Sequence, residues 1–263
     1  MKKISVITVN YNNREGLEKT IKSVVSQTYL DMEYIVIDGG STDGSIEVID
    51  TYAKHFAYSC SEQDKGTYDA MNKGIAKATG DYVLFLNSGD VFCNKDVLQS
   101  IFGRDAISGQ LVIGRQYQLR NGRHKSSRKI VVDEINEDFL ISNTLPHQAT
   151  FISRSLLNEI GGYCLDYRIV ADWVFWFKAI VDYSASVECV DTFVSTMDEE
   201  GLSADIAKCR DEMARFLSGR HKSLTKDLWK HIIQQNNDSY MYNRAQRGLI
   251  GKILVRLALR LYK

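Results

Sequence analysis

ISVITVNYNN, residues 4–13, opens the chain with a predominantly apolar and β-branched run that stops at Asn10 and Tyr11. Such a run without regular polar alternation is the pattern of a strand buried on both faces, as in a parallel sheet. Working outward, Leu17, Ile21, Val24 and Val25 recur at helical spacing, and residues 34–37 form the next strand, so the segment is a βαβ unit. That second strand runs into YIVIDGGSTDG (residues 34–44) and ends at Asp38, while a fourth, in YVLFLNSGD (residues 82–90), leads to Asp90. An open α/β sheet binds its ligand in the crevice beyond the carboxyl ends of its strands, so side-chain oxygens repeated at those ends predict a site at one rim.

Between these strands Ile46, Ile49 and Ala53 mark a second helix, residues 58–61 a short strand, and residues 68–78 a helix stopped by Gly80 and Asp81. Beyond residue 95 the rhythm changes. Residues 96–102 read as a short helix, and Asn121–Gly122 is the preferred two-residue turn for a hairpin between residues 111–119 and the segment after His124. Residues 148–152 read as a strand, 154–160 as a helix ended by Gly161 and Gly162, 173–180 as a helix starting just after Asp172, and 187–190 as the last strand. Pro146 fixes the backbone directly before His147.

The 263 residues, 44% hydrophobic and 25% charged, suit a soluble globular chain of one or two domains. Lys plus Arg equals Asp plus Glu at 33 each, so no global field drives nucleic-acid binding. Five scattered cysteines, with no CxxC pair, argue against a zinc or redox centre. The apolar stretch after Lys3 is too short for a signal-peptide core, which makes a cytoplasmic location the expectation.

From Asp205 onward the pattern is helical. In GLIGKILVRLALRLYK, residues 248–263, Lys252, Arg256 and Arg260 form one cationic stripe opposite Leu249, Ile250, Ile253, Leu254, Leu257 and Leu261. This amphipathic basic tail reads as a helix lying at a membrane surface, or as a core-packing helix with a solvated basic face. Its length and spaced charges exclude a span.

Taken in order, NYNN, IVIDGGSTDG, EQDKGTYDAMNKGI, FLNSGD, PHQATF and IVADWVFW resemble the family 2 glycosyltransferases of the GT-A fold, of the bacterial surface-polysaccharide type. The resemblance covers roughly residues 3–203. It implies a Rossmann-like α/β architecture, a mixed but mostly parallel sheet flanked by helices. A GT-A domain over 1–203 would comprise a nucleotide-sugar-binding half (1–95) and an acceptor half (96–203), followed by a helical region (204–263). The implied activity is inverting transfer of a sugar from a nucleotide-sugar, preferably a UDP-sugar, to a glycan or lipid-linked oligosaccharide at the membrane surface. The alternative is a non-catalytic nucleotide- or carbohydrate-binding module on the same fold.

By this resemblance Val9 and Asn10 grip the nucleobase with backbone groups, Tyr11 stacks on it, and Asp38 accepts its N–H; a loop cap is the other role open to Asp38. Asp64 contacts the nucleoside, and Lys65 either meets the phosphates or is a solvated charge. Asp69 and Asn72 read as structural. Asn87, Ser88, Gly89 and Asp90 stand where the family has its Asp-x-Asp signature, with Asp90 the ligand of Mn2+ or Mg2+. Asp172 is the implied general base. His147 lies near the diphosphate or the acceptor, or is structural. Two departures weaken the match: Gly39, where many relatives carry a second aspartate, and Ser88 in place of the first acid.

Overall fold

A computed structural model describes residues 1–103, 106–120, 123–198, 205–221 and 224–242. Its first half is β1 (Ile4–Asn10), α1 (Arg14–Val25), β2 (Met32–Asp38), α2 (Ser45–Tyr52), β3 (Tyr58–Ser61), α3 (Thr67–Ile75) and β4 (Tyr82–Phe85). The second half adds β5 (Val91–Phe92), α4 (Val97–Phe102), β6 (Leu111–Arg120), β7 (Arg123–Ser126), α5 (Glu137–Ser142), β8 (Thr150–Ser153), α6 (Arg154–Ile160), α7 (Ala171–Phe177) and β9 (Val187–Asp198). Helices α8 (Ile206–Arg220) and α9 (Lys226–Tyr242) follow.

Among the described residues one sheet runs in the order β3-β2-β1-β4-β8-β6-β9-β5, with β7 pairing β6 as a hairpin. Six of its nine strands share the direction of β1, while β8, β5 and β7 run against it. The sheet is therefore mixed and mostly parallel.

Alternation along the buried strands splits the core in two. Ile7, Val9, Ile35, Ile37, Val83 and Phe85 face one side, packed against α3, α5, α6 and α7, whereas Ile4, Val6, Tyr34, Val36, Tyr82 and Leu84 face the other, under α1, α2 and α4. Both faces of the sheet are covered, which is why β1, β2 and β4 read as nearly continuous apolar runs. In-register pairing of Asn10 with Asp38, and of Asp38 with Ser61, ends three strands at one level. Helices α8 and α9 bury Leu217, Trp229, Ile232 and Ile233 in the same cluster as α7, so they share the core of the sheet.

Several expectations shift. The last strand continues from Val190 to Asp198 because its second half pairs with β6 and β5. Helices α5 and strand β5 were not predicted. Gln148 sits in a 3-10 turn over His147–Ala149, ahead of β8. Helix α7 begins at Ala171, which puts Asp172 within its first turn instead of ahead of it. The turn residues 121–122 and the amphipathic tail 248–263 lie outside the described residues. Among the described residues, no helix is long and apolar enough to cross a membrane.

Candidate active site at the strand-end rim

An open cleft of about 3330 Å³ runs along the carboxyl ends of β1 and β4, past the start of α3, to α7 and α8. Single ligand pockets are usually about 300–1,000 Å³, so this one has room for two substrates side by side. Val9, Asn10, Tyr11, Asp64, Lys65, Ser88, Gly89, Asp90, His147 and Asp172 all line it.

Asp38 does not: its carboxylate is turned into the protein, whereas the sequence led to the expectation that it faces a nucleobase. It is fully buried, and both oxygens are taken by the protein: Oδ1 accepts from Asn10 Nδ2 (2.7 Å) and Ser41 Oγ (2.6 Å). Oδ2 accepts from the amides of Gly40 (3.1 Å) and Ser41 (2.8 Å) and from Ser61 Oγ (2.6 Å). Asp38 thus shapes the Gly39–Ser41 loop from behind, the loop-cap role, while the loop backbone faces the cleft.

Beyond the end of β1 Tyr11 is 66% exposed, its ring open to solvent at the cleft. A Cβ on Gly39 would stand 2.6 Å from Asp64 Oδ2 and 3.2 Å from the Tyr11 ring. The carboxylate of Asp64 therefore fills the volume that a second aspartate at position 39 would need. Asp64 Oδ1 accepts from the Gly66 amide (2.7 Å) and Asp69 from the Lys65 amide (3.0 Å), which shapes the entry to α3.

The turn after β4 is pinned from α1. The Thr20 hydroxyl accepts from the Gly89 amide (3.0 Å) and donates to the Asp90 carbonyl (2.7 Å). Gly89, at φ 105°, has a backbone that L side chains rarely adopt. Among the described residues no group of three carboxylate, imidazole or thiol side chains forms a ready metal cage. The turn nonetheless places two side chains with hard oxygens, Asp90 and Asn87, among the residues lining the cleft. That set suits a divalent cation that keeps waters and ligand phosphates in its shell.

Asn10, Asn87 and Gln116 line the cleft, and behind its surface their amide oxygens are buried with no hydrogen-bond partner among the described residues. An unmet buried acceptor costs about 1–3 kcal/mol, so each of the three is an acceptor held in reserve close to the cleft. Lys19, Lys65, Lys125 and Arg168 also line the cleft, and among the described residues none of them has an ion-pair partner. Such unneutralised cations draw anionic ligands.

At the opposite wall Asp172 Oδ1 accepts from the Tyr68 hydroxyl (2.8 Å). Glu212 of α8 accepts from the amides of Arg168 (3.0 Å), Ile169 (2.9 Å) and Val170 (3.2 Å), fixing the segment that leads to Asp172. His147 is buried, stacks on Phe85 at 5.2 Å and shares a 2.8 Å hydrogen bond with the Tyr163 hydroxyl. Burial holds its imidazole below the ordinary range against the pull of Asp172, so it is neutral at pH 7 and belongs to the Asp172 end of the cleft.

Sequence reasoning missed Tyr68, Thr20, Glu212 and Gln116. Tyr68, in the quoted EQDKGTYDAMNKGI, was within reach of the motif; the others become visible only when distant segments meet.

Residues 5–161 match the family model described as Glycosyl transferase family 2. An uncharacterized glycosyltransferase of Mycobacterium tuberculosis is 38% identical over 252 residues, 91% of this chain and 93% of that protein. The PGL/p-HBAD biosynthesis glycosyltransferase of Mycobacterium bovis is 29% identical over 202 residues, 75% of this chain and 77% of that one. In fold, the chain is similar to Staphylococcus aureus TarS 1–349 in complex with UDP-GlcNAc (TM-score 0.67, 17% identity, 94% of this chain and 74% of that one). It is also similar to the mannosyltransferase PcManGT from Pyrobaculum calidifontis in complex with GDP-Man and Mn2+ (TM-score 0.62, 16% identity, 100% of this chain and 81% of that one).

Proposed function

The chain belongs to glycosyl transferase family 2, and from that premise we propose that it moves a sugar from a nucleotide-sugar to an acceptor hydroxyl with inversion at the anomeric carbon. The observation that carries this reading is that one cleft is lined by Asp90, Asp64 and Asp172 together with Lys19, Lys65, Lys125 and Arg168, cations with no ion-pair partner among the described residues. A sugar nucleotide offers complementary parts: N–H and O–H donors, a diphosphate and an electrophilic carbon.

In this arrangement the base stacks on Tyr11 and is gripped by backbone groups of Val9 and Asn10, with Asp38 shaping the Gly39–Ser41 loop behind it. Asp64 takes the ribose hydroxyls, and Lys65 with the amides of Thr67 and Tyr68 at the start of α3 takes the diphosphate. Asp90, assisted by Asn87, would hold a Mn2+ or Mg2+ ion, whose chemistry is to offset charge on the departing diphosphate. Asp172 accepts the proton of the acceptor hydroxyl as its oxygen bonds to the anomeric carbon; the bond from that carbon to the phosphate oxygen breaks, and its electron pair leaves with the nucleoside diphosphate. One displacement by one base needs no covalent enzyme intermediate.

UDP is the preferred nucleotide, a reading supported by the UDP-GlcNAc named for the TarS neighbour, although the GDP-Man neighbour keeps GDP in the test panel. For the acceptor, Leu165, 47% exposed, lines the cleft beside Ile169 and the unpaired Arg168. An apolar wall next to a cation suits a glycan carried on a lipid phosphate, approached from the cytoplasmic face of the membrane.

A panel of UDP, GDP and dTDP with and without Mn2+ in a thermal-shift assay identifies the nucleotide. A ligand present at 100 times its Kd stabilises the native state by about 2.7 kcal/mol. Release of nucleoside diphosphate from UDP-glucose, UDP-galactose, UDP-GlcNAc and GDP-mannose should then fall roughly 10²–10⁴-fold in Asp172→Asn. Equal turnover by the two proteins would return the reading to a binding module, the alternative that Gly39 and Ser88 raise.

A further inference from the structure

The carboxylate of Asp172 is not held by its own helix. Its Oδ1 meets the hydroxyl of Tyr68, the second residue of α3, at 2.8 Å. Among the described residues Oδ2 makes no hydrogen bond, and Asp172 lines the cleft. The Tyr68 ring is partly buried against the core and packs at 5.3 Å from the ring of Tyr163, so its hydroxyl has a fixed direction. Resting on the proposal that Asp172 is the general base, we infer that Tyr68 is its positioning residue, occupying Oδ1 so that Oδ2 is the oxygen aimed at the acceptor hydroxyl.

The Tyr68 hydroxyl has one proton and two acceptors at the same distance, Asp172 Oδ1 and the Ile169 carbonyl, each at 2.8 Å. With Asp172 ionised, the charge-assisted bond to Oδ1 is the stronger of the two. Once the acceptor's proton sits on Oδ2 the carboxyl is neutral, and the hydroxyl can turn to the Ile169 carbonyl without moving the ring. Ile169 is itself fixed, because its amide donates to Glu212 Oε2 at 2.9 Å. Both protonation states of Asp172 therefore leave Tyr68 partnered, and the proton transfer requires no rearrangement of side chains.

The same helix start serves the donor. Asp64, Lys65 and Gly66 line the nucleotide side of the cleft immediately before Tyr68. A donor seated on that turn and an acceptor activated by Asp172 are thus registered on one rigid segment. Because Tyr68→Phe removes one oxygen and keeps the ring, donor affinity is expected to survive the substitution.

The titratable groups facing Asp172 are Tyr68 from α3, His147 from the turn before β8, Tyr163 from the loop before α7, and Cys209 from α8. Burial lowers the imidazole, and burial together with Asp172 raises both phenols and the thiol. Glu212 lies behind the segment, bonded to its amides. All four facing groups are uncharged around pH 7.

The test follows nucleoside diphosphate release from the donors of the panel, with water as acceptor and Mn2+ present. In Tyr68→Phe, kcat should fall about 10- to 100-fold, the donor KM should stay within about twofold, and the acid limb should move to higher pH by roughly one unit. In the Asp172→Asn background the same substitution should cost nothing further. Carbon-13 NMR of the Asp172 carboxyl, assigned by its loss in Asp172→Asn, should show the same displacement with no donor present. An unmoved acid limb and carboxyl titration, or an equal loss in the Asp172→Asn background, would reduce Tyr68 to a packing residue. Full turnover by Asp172→Asn would instead remove the base assignment itself, and the positioning role with it.

Discussion

Five donors on one buried carboxylate make Asp38 a structural hub of the nucleotide loop, and the same device recurs at the opposite end of the sheet. There Glu33, 9% exposed, accepts from Ser5 Oγ (2.6 Å), the Thr79 amide (2.6 Å) and hydroxyl (2.7 Å), and pairs with Lys3 at 2.7 Å. Burial pushes the Glu33 carboxyl up, but Lys3, Ser5 and Thr79 outweigh it and bring it from 4.5 down to about 2. For Asp38 burial likewise opposes, and the Ser41, Ser61 and Asn10 donors prevail, holding it below the ordinary carboxylate range. A folded-state value depressed below the unfolded one contributes stability above the unfolded value, which is lost as pH falls through the folded one. Urea unfolding should therefore show stability declining as pH drops from 4.5 toward about 2, with Glu33→Gln lower at neutral pH and flatter across that window. Asp38→Asn, which turns an NH₂ toward existing donors, should cost about 2–4 kcal/mol in the same measurement. The sequence placed Asp38 at a strand end correctly. Which way its oxygens point depends on donors from residues 40, 41 and 61, and only the folded Gly39–Ser41 turn brings those together.

At the scale of elements, α3 matters most, because it carries the donor turn and Tyr68 on a helix pressed against β1. Gly74 makes that approach possible: a Cβ there would stand 2.6 Å from Cγ2 of Ile7 and 3.5 Å from Cγ1 of Ile37. In an exposed helix Gly→Ala gains about 0.5–1 kcal/mol. Here the overlap should reverse the sign, and Gly74→Ala should destabilise by about 1–3 kcal/mol, read as a lower urea midpoint at unchanged m-value. Since the strain would shift the whole helix, donor KM should rise as well. Helix α3 and strands β1, β2 and β4 were legible because burial on both faces writes itself as apolar runs and helical spacing. Strand β5 and the second half of β9 were not, because Asp191, Thr192, Ser195 and Thr196 carry no buried-strand pattern. Pairing with β6 and β5 makes them strands, and a partner's register is not a local property.

Across the whole molecule, the C-terminal helices bind the segment ahead of Asp172 to the core. Trp229 and Ile233 are fully buried, as is Leu217, and Glu212 satisfies three amides ahead of Asp172. Burying such side chains is worth about 1.5–3 kcal/mol each, so the three together approach the 5–15 kcal/mol by which a domain is stable. Truncation after residue 204 should accordingly abolish cooperative unfolding and nucleotide binding together. Deletion of residues 248–263, which lie outside the described residues, should separate the two expectations for that tail. As a surface-binding helix, its removal leaves the thermal midpoint and the nucleotide-induced shift unchanged but ends co-sedimentation with vesicles containing phosphatidylglycerol, an interaction that weakens with salt in the full chain. As a core-packing helix, its removal lowers the midpoint by several degrees, about 1 kcal/mol for each 2–8 °C, and leaves vesicle binding unaltered. The cationic stripe of Lys252, Arg256 and Arg260 favours the first outcome, because a helix docked on its broad apolar face would need no regular row of charge to stay there.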